Sequence, residues 1–120
     1  MRPFLEGKAL KVISGLNNFN KESVKNLAWA ANEGGASHVD IACDPELVRL
    51  AKTVCSIPIC VSSITPRSFV TAVDAGADMV EIGNFDAYYA EGLKFSSADV
   101  LALGILSTFI QYYDYIYCSS

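Results

Sequence analysis

Apolar positions along this chain alternate between a short, continuous rhythm and a helical one. Residues 10–14 (LKVIS) form a β-branched run closed by Gly15, which predicts a first strand. Val24, Leu27, Ala28 and Ala31 recur at helical spacing and predict an amphipathic helix over 21–33, with Asn20 placed to cap it and Gly34-Gly35 to end it. A second strand is expected over 37–42. Asp44 followed by Pro45 is a cap plus first-turn proline, and opens a helix over 45–54 whose apolar face is Leu47, Leu50, Ala51 and Val54. Residues 57–61 (IPICV) are expected as the third strand, with Pro58 near its beginning. Thr65-Pro66 repeats the cap-and-proline device for a helix running to about Ala75 and closed by Gly76. The fourth strand is expected over 78–82, followed by a loop over 84–95 and a final helix from about Ala98, capped by Ser96 or Ser97.

The order is βαβαβαβα, so the strands must be parallel and the crossovers right-handed. Within it lies a repeat: Gly76-Ala77-Asp78-Met79-Val80-Glu81-Ile82 echoes Gly35-Ala36-Ser37-His38-Val39-Asp40-Ile41, each with an acid between two β-branched residues. An open doubly wound sheet of the nucleotide-binding type would want a glycine-rich phosphate fingerprint after strand one, and Gly15-Leu16-Asn17-Asn18 is not that. Matching strands two units apart suit the alternating interior layers of a barrel. The fold expected is α/β, half of a (β/α)8 TIM-type barrel with four parallel strands alternating with helices. A full barrel has about 250 residues; this chain has 120.

Composition adds constraints. With 52% hydrophobic and 18% charged residues the chain is too apolar for disorder and suits strands buried on both faces. The net charge of −4, with no basic block, argues against nucleic acid and anionic membrane surfaces as partners. A small anionic metabolite is still compatible, held by backbone amides at helix starts. Cys43, Cys55, Cys60 and Cys118 show no CxxC or Cys/His ligand spacing, and read as reduced, mostly buried thiols of an intracellular or organellar protein. Residues 1–6 have no apolar signal core and are too short for a transit peptide.

The chain divides by composition into four βα units over 1–98 and an apolar, tyrosine-rich tail over 99–120. After Lys94 there is no Lys, Arg or His, and 100–110 is apolar on nearly every side of a helix. That run is shorter than the ~20 residues of a bilayer span, so no membrane span is expected. An interfacial or partner-covered helix and an unrelated or truncated ending are the readings left.

Side chains alternate across a strand, so Asp40 and Glu81 point away from the face of Val39, Ile41, Val80 and Ile82. If the apolar pairs meet the helices, both acids enter the barrel, with Lys11 as counter-ion or amine nucleophile. Either they form a buried ion pair tying strands together, or Glu81 or Asp40 is a general acid or base tuned by a semi-apolar site. The polar residues expected after the strands (Ser14, Asn17, Asn18, Ser62, Ser63, Asn84 and Asp86) lie where such barrels bind ligands, and are also ordinary turn residues. A divalent ion between Asp40, Glu81 and Asp86 would suit oxygen ligands, but spacing alone assigns no metal. The cofactor is unknown. Cys43 has no local base, and His38 begins a strand at the end that serves stability.

The segments KVISGLNNF (11–19), HVDIA (38–42), IPICVSSITP (57–66) and GADMVEIGNFDAYY (76–89) together resemble the hypothetical chloroplast reading frame family numbered twenty-three. The resemblance covers about 8–98 and implies a plastid protein with a TIM-type barrel roughly twice this length. It implies no reaction, so no catalytic residue is carried over. Past about 97–101 the resemblance stops, and the tyrosine-rich ending looks like that of a truncated product. A fainter likeness to tryptophan synthase α-type chains, through the GAD turn and strand acid, is analogy of fold. The intact form is expected to be a metabolic enzyme or binder of a small phosphorylated or carboxylated metabolite. The alternative is a non-catalytic assembly protein that uses the tail and open sheet edges for a partner or for self-association.

Overall fold

The computed structural model describes residues 2–83, 92 and 94–106. In chain order the elements are α1 (Arg2–Leu5), β1 (Lys11–Ile13), α2 (Lys21–Glu33), β2 (His38–Ala42), α3 (Pro45–Lys52), β3 (Ile59–Ser63), α4 (Ser68–Asp74) and β4 (Met79–Ile82). A further helix, α5, spans 97–106. The strands form a parallel sheet in the order β1-β2-β3-β4. This is the half-barrel arrangement expected from the alternation of strand and helix.

Period-two patterning decides which face meets the helices. Val39, Ile41, Ile59 and Val61 lie fully buried against Val24 and Ala28 of α2, Leu47, Val48 and Ala51 of α3, and Phe69 and Ala72 of α4. Each of the valine, leucine, isoleucine and phenylalanine side chains contributes about 1.5–3 kcal/mol relative to exposure. Helix starts follow the sequence: Asn20 Oδ1 accepts from the Ser23 amide at 2.9 Å, and Asp44 Oδ1 from those of Glu46 and Leu47 at 2.9 and 3.0 Å.

The repeated GA pairs are helix ends of one kind. Gly35 (φ 74°) and Gly76 (φ 113°) take the left-handed conformation that residues with a Cβ avoid. The amides of Ala36 and Ala77 then reach back to the carbonyls of Ala31 and Ala72, both at 3.0 Å, closing a Schellman motif. The next residue enters the sheet. The Ser37 amide donates to the Leu10 carbonyl at 2.9 Å, and its hydroxyl oxygen accepts from the Leu10 amide at 2.7 Å. One repeat later the Asp78 amide donates to the Ile59 carbonyl, and its carboxylate accepts from the Ile59 amide, both at 2.8 Å. The repeat is therefore a device that ends a helix and sets the next strand in register.

Four expectations are corrected. The third strand runs from Ile59 to Ser63 rather than over 57–61, because Pro58 has no amide to donate and only its carbonyl takes part, accepting from Val39 at 3.1 Å. Thr65 does not cap a helix. Its own amide donates to Ser63 Oγ at 2.9 Å, a turn intervenes, and α4 starts at Ser68 with no side-chain cap. The α3 helix ends at Lys52, earlier than expected, and residues 2–5, for which no element was expected, form the helical turn α1. The loop over 84–91 and the tail beyond residue 106 lie outside the described residues. Among the described residues no helix is long and apolar enough to cross a membrane.

The sheet is curled. On a flat sheet β1 and β4 would be three spacings apart, about 14 Å, with their side chains projecting in parallel. Yet the Lys11 ammonium donates to the Glu81 carboxylate. A lysine and a glutamate can bridge that distance only where their side chains incline toward each other, as they do when the sheet curls around the face opposite the helices and makes it concave.

Candidate functional site

The concave face carries the residues that alternate out of the helix-facing core. Lys11 and Ile13 come from β1, Asp40 from β2, Cys60 and Ser62 from β3, and Glu81 from β4. Register brings them together, since Asp40 pairs with Cys60 and Ser62 with Glu81. Asp40 is 1% exposed, and a carboxylate so buried needs partners. It has them: Lys11 Nζ stands 2.9 Å from Oδ2, and the Ser62 hydroxyl lies 2.7 and 2.8 Å from the two oxygens. Lys11 also donates to Glu81, whose side chain keeps 40% of its surface in solvent. One ammonium thus bridges a buried acid and an open one.

Partial burial alone would lower the Lys11 pKa. Hydrogen bonds and charges from Glu81 and Asp40 outweigh it and raise the value above the ordinary 10.5. Lys11 is therefore a fixed cation at neutral pH. An amine nucleophile must be unprotonated, so this geometry favours the counter-ion reading.

Ligand atoms of Asp40, Cys60 and Glu81 lie within 4.8 Å of one another. Burial, with Asp40 nearby, pushes the Cys60 thiol up to about 12. Both carboxylates of this cluster are ion-paired to Lys11, so a metal held there would have to displace that ammonium. Cys60 was absent from the sequence-based candidates. The signal was there, because Ile59-Cys60-Val61 has the same alternation as Val39-Asp40-Ile41. Cys43 donates to the Ser68 carbonyl at 3.3 Å, and burial raises its pKa.

The remaining candidates separate from this group. Ser62 is a buried strand residue and not part of a loop, as the later start of β3 requires. Ser14 donates its amide to the Asp40 carbonyl at 2.8 Å, and its hydroxyl accepts from Asn18 Nδ2 at 3.0 Å. Asn18 also reaches Ser23 Oγ and the Asn20 amide, so it holds the β1–α2 loop in shape. Asn17 is exposed in that loop. Ser63 turns the chain after β3, accepting from the Thr65 amide at 2.9 Å and the Ser68 hydroxyl at 3.0 Å. Asn84 and Asp86 lie outside the described residues. His38, at the opposite end of β2, packs its ring against Phe4 at 5.0 Å, and burial together with Lys11 lowers its pKa.

Residues 2–107 match the family described as "Protein of unknown function (DUF561)". The chain is similar to the uncharacterized protein ycf23 of Cyanophora paradoxa, 53% identical over 97 residues that cover 80% of this chain and 40% of that protein. It is similar also to the ycf23 protein of Antithamnion sp., 46% identical over 100 residues covering 83% of this chain and 36% of that one. The match in Cyanidium caldarium is 43% over 96 residues, 80% and 39%. The chain spans well under half the length of these relatives. They are plastid-encoded proteins, which supports a plastid location for this chain. With all four acid-bearing and apolar strands inside the matched region, the chain belongs to the DUF561 family of proteins of unknown function.

Proposed function

We propose that the concave face is half of a binding site for a small metabolite bearing a carboxylate or phosphate, and that Glu81 is its proton-transfer group. One observation carries this: a single Lys11 ammonium shared between buried Asp40 and half-open Glu81. Asp40 with Ser62 holds the ammonium, the ammonium orients Glu81, and of the two acids it is Glu81, 40% exposed against 2% for Asp40, that has access to solvent for exchange of a proton. The group has two carboxylates to one cation, so it repels an anion placed directly on it. The anionic end of a ligand belongs instead at the strand ends, where Ser14, Asn17, Asn18 and Ser63 stand among backbone amides. In this reading residues 1–98 are the site-bearing half-barrel and 99–120 a separate tail.

The test is a thermal-shift panel of phosphosugars, carboxylic acids and amino acids on the full-length Cyanophora paradoxa relative, followed by titration of the best compound into the 120-residue chain. Stabilisation by one chemical class, with weaker binding in the Glu81→Gln chain, is expected. No shift with any compound would overturn the reading.

A further inference from the structure

Given the site proposed above, on which this assignment rests, we infer that its ligand is a short amino acid, with its ammonium paired to Glu81 and its carboxylate at the strand ends. The charges on the concave face do not cancel. Asp40 and Glu81 are two carboxylates and Lys11 is one ammonium, so the group carries −1. The neighbouring titratable groups add nothing to offset it. Burial keeps the Cys60 thiol protonated, with its pKa pushed up to about 12. His38, whose pKa burial and Lys11 hold below the ordinary 6.5, is neutral at pH 7.

Hydrogen bonding decides which of these charges a ligand can meet. Both oxygens of buried Asp40 face the Ser62 hydroxyl, and Oδ2 has Lys11 as well. Asp40 alone balances the Lys11 charge, which leaves that of Glu81 over. Glu81 Oε2 accepts from Lys11, while Oε1 has no donor among the described residues, on a side chain 40% exposed. The open group of the site is therefore a carboxylate oxygen, which only accepts. A ligand hydroxyl could donate to it, but an ammonium also cancels the charge left over. The other end of the ligand is anionic. After β1, with Gly15 at φ 99°, the amides of Gly15, Leu16 and Asn17 have no acceptor among the described residues. Successive amides of this kind hold anions. Ser62 pairs with Glu81 and Ser63 with Ile82, so the end of β3 lies one residue, about 3.3 Å, past the acid. An ammonium and a carboxylate a few bonds apart span that step. A phosphate brings about −1.5 to −2, so with one ammonium it would still add negative charge to this face, whereas an amino acid adds none.

Isothermal titration of the 120-residue chain with matched ligands at pH 7 tests this. Alanine, lactate and propionate differ only in bearing an ammonium, a hydroxyl or a hydrogen at one carbon. The β series (β-alanine, 3-hydroxypropionate) and the γ series (γ-aminobutyrate, 4-hydroxybutyrate, butyrate) move that group along the chain, and O-phosphoethanolamine replaces the carboxylate. In one series the amino acid should bind about tenfold or more tighter than its hydroxy and unsubstituted partners. Glu81→Gln, at unchanged circular dichroism, should abolish that preference. A hydroxy acid or O-phosphoethanolamine that binds as tightly as the amino acid, and weakens in Glu81→Gln, would overturn the amino-acid assignment and leave the site standing. Binding of every compound indifferent to Glu81→Gln, or no binding at all, would overturn the site and the assignment together.

Discussion

The two copies of the repeat make the same local structure and meet different surroundings. Gly35 and Gly76 both end a helix with a left-handed residue, Ala36 and Ala77 both tuck into the core, and Ser37 and Asp78 both clasp the neighbouring strand. The acids five positions on then diverge. Asp40 stands on β2, with strands on each side, and is 1% exposed. Glu81 stands on β4, an edge strand among the described residues, and its side chain is 40% exposed. A single pattern therefore yields an anchoring acid and an accessible one, and Lys11 joins them. What separates their roles is position in the sheet.

The largest expected effect comes from removing the residue the two copies share. Lys11→Met leaves Asp40 charged and buried with only Ser62 beside it, and should cost about 3 kcal/mol in urea unfolding at pH 7. Lys11→Met with Asp40→Asn should recover most of that loss, whereas Lys11→Met with Glu81→Gln should recover little, because Glu81 can be solvated. Equal rescue by both would erase the distinction drawn here. The pH dependence has a definite sign. With its folded pKa raised above the ordinary 10.5, Lys11 contributes fully below that value, and the contribution is lost as pH rises through the higher folded value. An alkaline loss of stability should be present in the wild type and absent in Lys11→Met.

Next in size are the glycines. A side chain at φ 113° is further from the favourable left-handed region than one at 74°, so Gly76→Ala should destabilise by about 2 kcal/mol and Gly35→Ala by about 1. Neither added Cβ meets anything closer than 3.5 Å, so backbone conformation alone is being measured. The reverse order in thermal or urea unfolding would show that the two turns are not equivalent devices.

The smallest contrast is between the clasps. Asp78 accepts from the Ile59 amide and from Lys52 Nζ at 2.7 Å, while Ser37 holds only the backbone of Leu10 and the edge of His38. Asp78→Ala should cost about 1–2 kcal/mol and Ser37→Ala about 1, with the half-exposed Lys52 adding little. Partial burial would raise the Asp78 pKa, but Lys52 and the Ile59 amide hold it below the ordinary 3.8. Its contribution is thus present above that value and lost as pH falls through the lower folded value. Acid unfolding of Asp78→Ala should lack this component.

Much of the helix-facing side was legible because each decision there is local. Asn20 and Asp44 cap where expected, Gly35 and Gly76 end helices, and alternation placed Val39 and Ile41 against them and Asp40 away. Legibility failed where a neighbour decides. The limits of β3 depend on which partner accepts the backbone groups around Pro58, and Ser62 moved from loop to core with them. The Thr65-Pro66 signal resembled that of Asp44-Pro45, but the Thr65 amide was claimed by Ser63, and the helix began later. The alternation of Ile59-Cys60-Val61 puts the Cys60 thiol on the face away from the helices, but that Asp40 stands beside it depends on the β2–β3 register.

The amino-acid sequence alone determined the alternation of parallel strands and helices, the glycine turns, and the face on which Asp40 and Glu81 lie. These depend on periodicity, capping and left-handed φ values, which act over a few residues. Only the tertiary structure decided that Lys11 reaches both acids, that Asp40 is sealed while Glu81 is open, and that Ser62 and Cys60 share their face. Those outcomes require strands distant in the chain to be stacked in register and curled, and no short stretch of sequence contains the curvature that brings them within reach.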